Sequence, residues 1–315
     1  MLRRWLSEFI RNNKKKIEKI AKMFGILILV GIGLAMSIRN RNSRSEGTSK
    51  NTIYNPTKTI IAGENVETED FKQEENLINT FVEFCNNNKI QEAYDLLTDE
   101  CKKKMYPDLE SFKKNYYSII FDQKKECTLQ SWVTNKNYHT YKVTFIEDIM
   151  TTGNYDNVKK NIDYITVETK EQVKKLNINN YIKSEQINKV KKTDELEILV
   201  DSVDIYMNSI KYRLSITNLS GNDILLDTLK NNLNIKFIGS NNAEYELDQT
   251  NLFASDLLIY KTTKNKEIEL KFNKQYGTDV EADSIEFKNV IMNCNEYIKD
   301  KSSYNDYKKI SIKLY

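Results

Sequence analysis

The sequence has few of the residues on which common catalytic and metal sites depend. Its 315 residues include one histidine, four cysteines and two prolines. With His139 as the single histidine, a Ser-His-Asp triad has one candidate base and a multi-histidine metal site cannot form. The sequence also lacks Cys-x-x-Cys, Gly-x-Ser-x-Gly, His-Glu-x-x-His and Walker A patterns. These absences argue against the hydrolases, zinc proteins and nucleotide-binding enzymes that such motifs mark.

The cysteines are widely spaced, at Cys85, Cys101, Cys127 and Cys294. Cys85 follows Ile78 and Phe81 on one face of a predicted helix, which is typical of a buried apolar thiol. A disulfide between Cys85 and either Cys101 or Cys127 is the alternative. The cysteines therefore leave the redox compartment open.

Charge is balanced overall but unevenly placed. The formal net charge is +3, and residues 1–22 hold eight lysines and arginines. From Met23 onward the chain has 40 of its 48 basic residues and 43 of its 45 acidic residues. A nucleic-acid-binding domain carries its positive charge on the folded part, so we expect no nucleic-acid partner.

One uncharged run, MFGILILVGIGLAMSI at residues 23–38, lies between Lys22 and Arg39. Its helix would be roughly 24 Å long at ~1.5 Å per residue, and lysine or arginine at either end can reach the membrane surface. We expect a transmembrane helix at 23–38 that anchors the chain in the membrane. A signal peptide cleaved after Ala35-Met36-Ser37 is the alternative, which the long basic segment before the run disfavours.

The charge asymmetry around this run predicts the orientation. Because cations accumulate on the cytoplasmic side, residues 1–22 are expected to form a basic cytoplasmic tail. The chain would then be a single-pass protein of the cell membrane, with its bulk extracytoplasmic. Residues 39–68 are polar and predict a linker, in which Ile60 and Ile61 form a small patch expected to dock on the first domain.

The first predicted domain, residues 69–184, combines helices with strands. Phe71, Ile78 and Phe81 recur at helical spacing, and further helices are predicted at residues 91–97 and after Pro107. Beyond Lys125 the apolar period changes to two, which predicts strands at 127–133, 138–146, 162–168 and 176–178. A tight turn at 135–137 and a polar loop at 148–160 connect them.

The segment FVEFCNNNKIQEAYDLLTDECKKKMYPDLESFKKNYYSIIF, residues 81–121, resembles the helical part of the nuclear transport factor and cystatin-like superfamily. This resemblance implies a cone fold, in which some members perform acid–base chemistry with inward-facing Asp, His or Tyr. His139 shares strand parity with Tyr141 and Val143 but has no carboxylate partner on its own strand. We interpret His139 as structural, with a general base as the alternative, and Trp132 as core or rim packing.

The second predicted domain, residues 194–315, alternates short apolar runs with turn signals. Seven or eight strands of this kind are typical of an antiparallel β-sandwich. The segments YRLSITNLSGNDILLD and KEIELKF resemble the immunoglobulin-like domains of exported Gram-positive proteins, although the paired cysteines and core tryptophan are absent. Two sets of acidic residues could suggest a calcium site: Asp201 with Asp204, and Asp279 with Glu281 and Asp283. Neither matches an EF-hand, and we interpret both as solvated surface.

The predicted fold class is thus α+β: an N-terminal transmembrane helix, a cone-shaped helix-plus-antiparallel-sheet domain, and an all-β immunoglobulin-like sandwich. We expect a non-enzymatic protein that presents extracytoplasmic binding domains to protein partners in the cell envelope, with no catalytic, cofactor-binding or metal-binding residues and no cofactor. The layout is similar to membrane-anchored assembly factors of type IV secretion and conjugation machines. The alternative is small-molecule binding or weak acid–base catalysis in the cone pocket.

Overall fold

The computed structural model describes residues 57–147, 159–228, 234–250, 252–277 and 281–315. Strand accounts for 45% and helix for 21% of these residues. All described residues belong to the second of the two units into which the chain divides, Pro56–Tyr315. The architecture below is that of this second unit.

A 19-residue amphipathic helix, α1 (Thr68–Asn86), precedes the strands. It forms where apolar side chains recur every three or four residues, and it buries Phe71, Ile78 and Phe81. The chain leaves the helix at Asn88, which has a φ of 56°. The other helices are short: α2 (Ile90–Asp95), α3 (Asp99–Met105), α4 (Leu109–Phe112), a π-helical turn (Lys113–Tyr117), α5 (Ser118–Ile120) and, near the end of the chain, α6 (Cys294–Lys299).

Side-chain caps fix the starts of two short helices. The Thr98 hydroxyl accepts a hydrogen bond from the Cys101 backbone N–H at 2.9 Å, at the start of α3. Asp108 and Ser111 form a capping box at the start of α4. Helices this short are unstable alone, so their position depends on these caps and on packing against neighbouring elements.

The first sheet is antiparallel, in the order β1-β2-β3-β4. Its strands are β1 (Lys125–Asn135), β2 (Tyr138–Glu147), β3 (Lys160–Lys170) and β4 (Val173–Asn177). A bulge between Ser131 and Val133 shifts the end of β1, where Val133 packs with Ile182 and Met207. Together with α1–α5 this sheet makes up what we call the helix-covered half.

The remaining strands build two further sheets, which we call the two-sheet half. They are β5 (Tyr181–Lys192), β6 (Leu196–Tyr206), β7 (Ile210–Asn218), β8 (Ile224–Leu225), β9 (Ile235–Gly239), β10 (Glu244–Glu246), β11 (Leu258–Ile259), β12 (Lys266–Phe272), β13 (Ala282–Ile291) and β14 (Tyr307–Lys313). One sheet has the order β12-β7-β6-β5; the other has the order β10-β9-β13-β8-β11, with β14 also paired to β13. Their shared core includes the rings of Tyr212, Phe237 and Phe272, with centroids 5.8–6.2 Å apart.

Strand β5 belongs to both halves. Tyr181 at its start is buried in the core of the helix-covered half, and Ile187 is buried in the core of the two-sheet half. The polar segment 185–193, which lies between the two predicted domains, is mostly strand, and its pairing with β6 continues to Lys192 opposite Glu197. The domain boundaries at 184 and 194 stay a prediction.

The last part of the predicted linker lies along the edge of β1. The Ile61 N–H donates to the Trp132 carbonyl at 2.9 Å, and the Thr134 N–H donates to the Ala62 carbonyl at 3.0 Å. Ala62 pairs with Val133 as a parallel bridge. The Ile61 side chain stays 37% exposed. The segment therefore docks on the first sheet as expected, but through its backbone rather than through an apolar patch.

The predicted fold class is wrong. The described part of the chain is mostly β-sheet, because six of its strands, β1, β2, β3, β5, β6 and β13, each run for 10 to 12 residues. Among the described helices only α1 exceeds seven residues. Two of the three helices predicted for the first domain are short, and strand β5 extends the sheet structure through the residues between the two predicted domains.

The transmembrane part of the predicted fold class is also overturned. No helix in the part of the chain that the structure describes is long and apolar enough to cross a membrane. The residues concerned, 23–38, lie outside the described residues, as do the tail 1–22 and the loop residues 148–158. Sixteen uncharged residues also fall short of the ~20 that a spanning helix needs. The predicted localisation and orientation stay predictions.

Gly63 allows the linker to follow β1 closely, which gives a local test. Its φ is +94°, and a Cβ there would lie 2.0 Å from the Thr134 carbonyl oxygen. We expect Gly63→Ala to loosen this segment by about 1 kcal/mol or more, so that the Ile61 and Thr134 amides exchange hydrogen at least about fivefold faster. Gly221→Ala is the matched control, because its Cβ would meet no atom within 4 Å. Unchanged exchange in Gly63→Ala would contradict this account of the docking.

Candidate functional site

His139, the single histidine, has a carboxylate partner from another element. It lies on β2 opposite Thr134 and Val167. Its Nδ1 is 3.0 Å and 3.1 Å from the two carboxylate oxygens of Glu74, on helix α1. The side chain of His139 is 19% exposed, whereas that of Glu74 is 1% exposed. The missing partner on the histidine's own strand is thus supplied across the helix–sheet interface.

Glu74 is the centre of a buried polar cluster. It also accepts hydrogen bonds from the Tyr141 hydroxyl at 2.5 Å and from the Lys174 ammonium at 2.8 Å. Lys174, on β4, donates as well to the half-exposed Asp70 at 2.9 Å. We call these five side chains the Glu74 cluster; they join α1 to β2 and β4.

The partners of Glu74 keep it charged. Burial raises the pKa of a carboxyl group, but hydrogen bonds from His139, Lys174 and Tyr141 outweigh burial and hold the pKa of Glu74 below its ordinary value of 4.5. Burial and the neighbouring Glu74 carboxylate raise the pKa of Tyr141. Tyr141 therefore keeps its proton and donates a hydrogen bond to the Glu74 carboxylate.

The sequence carried a signal for this cluster that the sequence analysis missed. Glu74 lies three residues after Phe71 and four before Ile78, within the apolar face of α1. A glutamate in such a stripe is expected to find partners when it is buried. Which residues serve as partners depends on β2 and β4, more than sixty residues further along the chain.

Aromatic rings fill the interior of the helix-covered half. Phe112 stacks on Tyr116 at 5.8 Å and meets Tyr106 at 5.6 Å, and Phe81 lies 6.4 Å from Phe112. All four side chains are at most 3% exposed. Where the sequence analysis allowed a cone pocket, these rings form a packed core.

The thiols are held in their neutral form. None of the four cysteines is in a disulfide, and Cys85, Cys101 and Cys294 are buried. The interpretation of Cys85 as a buried apolar thiol is confirmed. Burial raises the pKa of Cys101 to about 12 and of Cys127 to about 11. Because the thiolate is the nucleophile, these cysteines are poorly suited to covalent chemistry.

Asp204 was interpreted as solvated surface, and this is wrong. Its side chain is 3% exposed and pairs with the Lys104 ammonium at 2.7 Å. The Ser184 hydroxyl donates to it at 2.8 Å, and an Arg213 nitrogen lies 3.7 Å away. Asp204 on β6 therefore binds helix α3 and strands β5 and β7 together.

The other carboxylates considered for calcium do not gather around one point. Asp283 pairs with Lys313 at 2.8 Å, and Glu281 is exposed. Asp201 accepts a hydrogen bond from Ser202 at 3.1 Å, and Asp279 lies outside the described residues. Within the described ranges, no three His, Cys, Asp or Glu side chains are placed to hold a metal ion.

Trp132 packs on the outer face of the first sheet. Its ring centroid lies 5.6 Å from that of Tyr164, and the Lys142 ammonium is 5.0 Å from the Trp132 ring centroid. The ring is partly buried beside Val133, Ile182 and Met207. The interpretation of Trp132 as a packing residue is confirmed.

A surface cleft of about 660 Å³ opens where the two halves meet. Its walls come from the linker, strands β1, β5, β6, β7, β9 and β13, the segment between β12 and β13, and Tyr315. The lining residues are Ala62, Gly63, Val133, Thr134, Asn135, Lys183, Glu185, Val203, Ile205, Ile210, Tyr212, Phe237, Lys274, Tyr276, Gly277, Glu281, Ala282 and Tyr315. We call it the sheet cleft. This site could not be predicted from the sequence, because its residues come from nine separate stretches of the chain.

The sheet cleft has an apolar floor and a charged rim. Val203, Ile210 and Tyr212 on its floor are also part of the core of the two-sheet half and are at most 6% exposed. On the rim, Lys183 pairs with Glu185. Such a volume and lining are typical of sites for small ligands.

No protein-family model, no curated protein and no solved structure matches this chain. The resemblances to the cone fold and to immunoglobulin-like domains therefore depend on the quoted segments alone.

The Glu74 cluster has a pH dependence that can be measured. Because the pKa of Glu74 is lower in the folded protein, its contribution to stability is present above pH 4.5 and is lost as the pH falls through the folded pKa. We expect Glu74→Gln to lower the free energy of unfolding by on the order of 3 kcal/mol at pH 7, since a buried ion pair is broken. The difference from the wild type should shrink below pH 4.5, as urea unfolding at each pH would measure.

Glu83→Gln is the matched control, because Glu83 is on the same helix and exposed. A constant difference between Glu74→Gln and the wild type down to pH 3 would contradict the assignment of a charged Glu74.

Proposed function

We propose that this chain is a non-enzymatic binding protein and that the sheet cleft is its binding surface. The observation that carries the proposal is the cleft itself: about 660 Å³ of space with an apolar floor and a charged rim. Ligand sites commonly have volumes of about 300 to 1,000 Å³ and a few polar groups around an apolar lining.

The construction of the cleft supports this proposal. Its floor residues Val203 and Ile210 are anchored in a packed core, so the surface is largely formed before a ligand arrives. Gly63 and Gly277, with φ of +94° and +82°, bring the linker and the segment after β12 close to Thr134 and Val133. A rigid, concave surface of this kind favours binding because little ordering remains to be done.

The surroundings of His139 support binding over catalysis. Its Nδ1 is engaged with Glu74, and packed rings occupy the interior of the helix-covered half. The buried thiols have raised pKa values. A catalytic reading would need a substrate to approach the 19% of the His139 side chain that is exposed.

Acid–base catalysis at His139 is the second candidate function. A carboxylate that fixes one imidazole nitrogen is the arrangement by which many enzymes orient a histidine base. Here Glu74 holds Nδ1 and leaves Nε2 as the nitrogen that could take a proton. Protein partners in the cell envelope likewise remain a proposal.

Complementation of a strain that lacks the gene separates the two functions. We expect His139→Ala to restore the wild-type phenotype and Ala282→Leu, which fills the sheet cleft, to fail. Ala254→Leu is the control for the second variant, because Ala254 is exposed and does not line the cleft. The abundance of each variant is measured by immunoblot.

If His139→Ala loses function at normal abundance, catalysis at His139 replaces binding in the cleft as the proposed function. If His139→Ala lowers abundance, His139→Gln decides, since glutamine can donate to Glu74 but cannot act as a base. Full function in Ala282→Leu would contradict the assignment of the cleft.

A further inference from the structure

One cation on the rim of the sheet cleft has no anionic partner among the described residues. Lys183 pairs with Glu185, but no carboxylate oxygen of the described part of the chain lies within 4.0 Å of the Lys274 ammonium. The Lys274 Nζ instead lies 6.0 Å from the centroid of the Tyr245 ring. Among the described residues of this rim, Lys274 is thus the lysine without a carboxylate partner.

Lys274 is also removed from water in part. Its side chain is half-buried, and this burial lowers the pKa of the ammonium. A cation taken partly out of water without a counterion is unfavourable, and an anion placed beside it would offset that cost. Two other half-buried lysines, Lys104 and Lys174, each have a carboxylate within 3 Å. Two more, Lys142 and Lys266, instead contact the Trp132 ring and backbone carbonyl oxygens, respectively.

The opposite charge on the rim is in a different environment. Glu281 lines the cleft but is exposed, so water solvates its carboxylate. Among the described residues of the rim, the charge that is partly buried without a counterion is therefore that of Lys274. The same cleft is lined by Ile205 and Tyr276, which are partly exposed and present apolar surface.

We propose that the sheet cleft binds a small apolar anion, with its apolar body on Ile205 and Tyr276 and its anionic group on the Lys274 ammonium. This inference rests on the proposed function, because it names the class of ligand for the same site. Carboxylates and sulfonates share the required chemistry.

The test compares two fluorescent probes that differ by one charge. 1-Anilinonaphthalene-8-sulfonate carries a sulfonate on a naphthylamine body, and N-phenyl-1-naphthylamine has the same body without it. Both are titrated into the full-length protein, and the dissociation constants are measured at fixed ionic strength. We expect the anionic probe to bind about tenfold more tightly than the neutral one.

Variants assign this preference to the cleft and to Lys274. Lys274→Gln should weaken binding of the anionic probe about tenfold and leave the neutral probe unchanged, while Lys274→Arg should keep the preference. Lys264→Gln is the control for a lost surface charge, because Lys264 is exposed and outside the cleft. Ala282→Leu should weaken both probes. Circular dichroism and the unfolding temperature check that each variant is folded.

The outcomes distinguish the two levels of the claim. Equal affinity for both probes, with no effect of Lys274→Gln, would overturn the anion preference and leave the cleft as a binding surface. If Lys264→Gln weakens binding of the anionic probe as much as Lys274→Gln does, the anion preference is also overturned, because the effect would then come from overall charge. If neither probe binds, or if Ala282→Leu has no effect on either, the proposed function fails as well.

Discussion

The pairing of strand β5 with β6 is the interaction on which the rest of this structure depends. In β5 (Tyr181–Lys192), Tyr181 is buried in the core of the helix-covered half and Ile187 in the core of the two-sheet half. Its pairing with β6 runs from Tyr181 opposite Tyr206 to Lys192 opposite Glu197, with two register shifts on the way. A strand that serves two cores holds both halves at one orientation, and the sheet cleft is formed at the position where it crosses from one to the other.

Buried carboxylates provide a second set of links between distant parts of the chain. Glu74 joins α1 to β2 and β4, and Asp204 joins β6 to α3. Asp163 on β3 is 3% exposed and accepts hydrogen bonds from the Tyr116 hydroxyl and from the Asn179 and Asn180 N–H groups. Each buried charge is satisfied only when the correct elements meet, so these links favour one arrangement of helices and sheets over others.

Periodicity predicted the elements well and their assembly poorly. The stripe of Phe71, Ile78 and Phe81 predicted α1, and the period-two run at 138–146 corresponds to β2 (Tyr138–Glu147). Local spacing specifies these elements because each needs one apolar face. The sheet content was underestimated, because the polar sequence of a segment such as 185–193 fits a linker as well as it fits an edge strand whose lysines face water.

The candidate site was beyond local sequence reasoning for a related reason. Glu74 and His139 are 65 residues apart, and the sheet cleft draws on residues from Ala62 to Tyr315. Their chemistry depends on which surfaces the fold brings together, and a single sequence records that only as unexplained polar residues in apolar stripes. A lysine such as Lys274 looks like ordinary surface until its neighbours are known.

The central claim is that ligands occupy the sheet cleft rather than the interior beside His139. Methyl NMR of isoleucine- and valine-labelled protein tests it directly, during titration with 1-anilinonaphthalene-8-sulfonate. We expect the resonances of Val203, Ile205 and Ile210 to shift, because these side chains line the cleft. Val143 and Val167, in the core of the helix-covered half, should stay unchanged. Shifts confined to Val143 and Val167 would contradict the account and would place the ligand next to the Glu74 cluster.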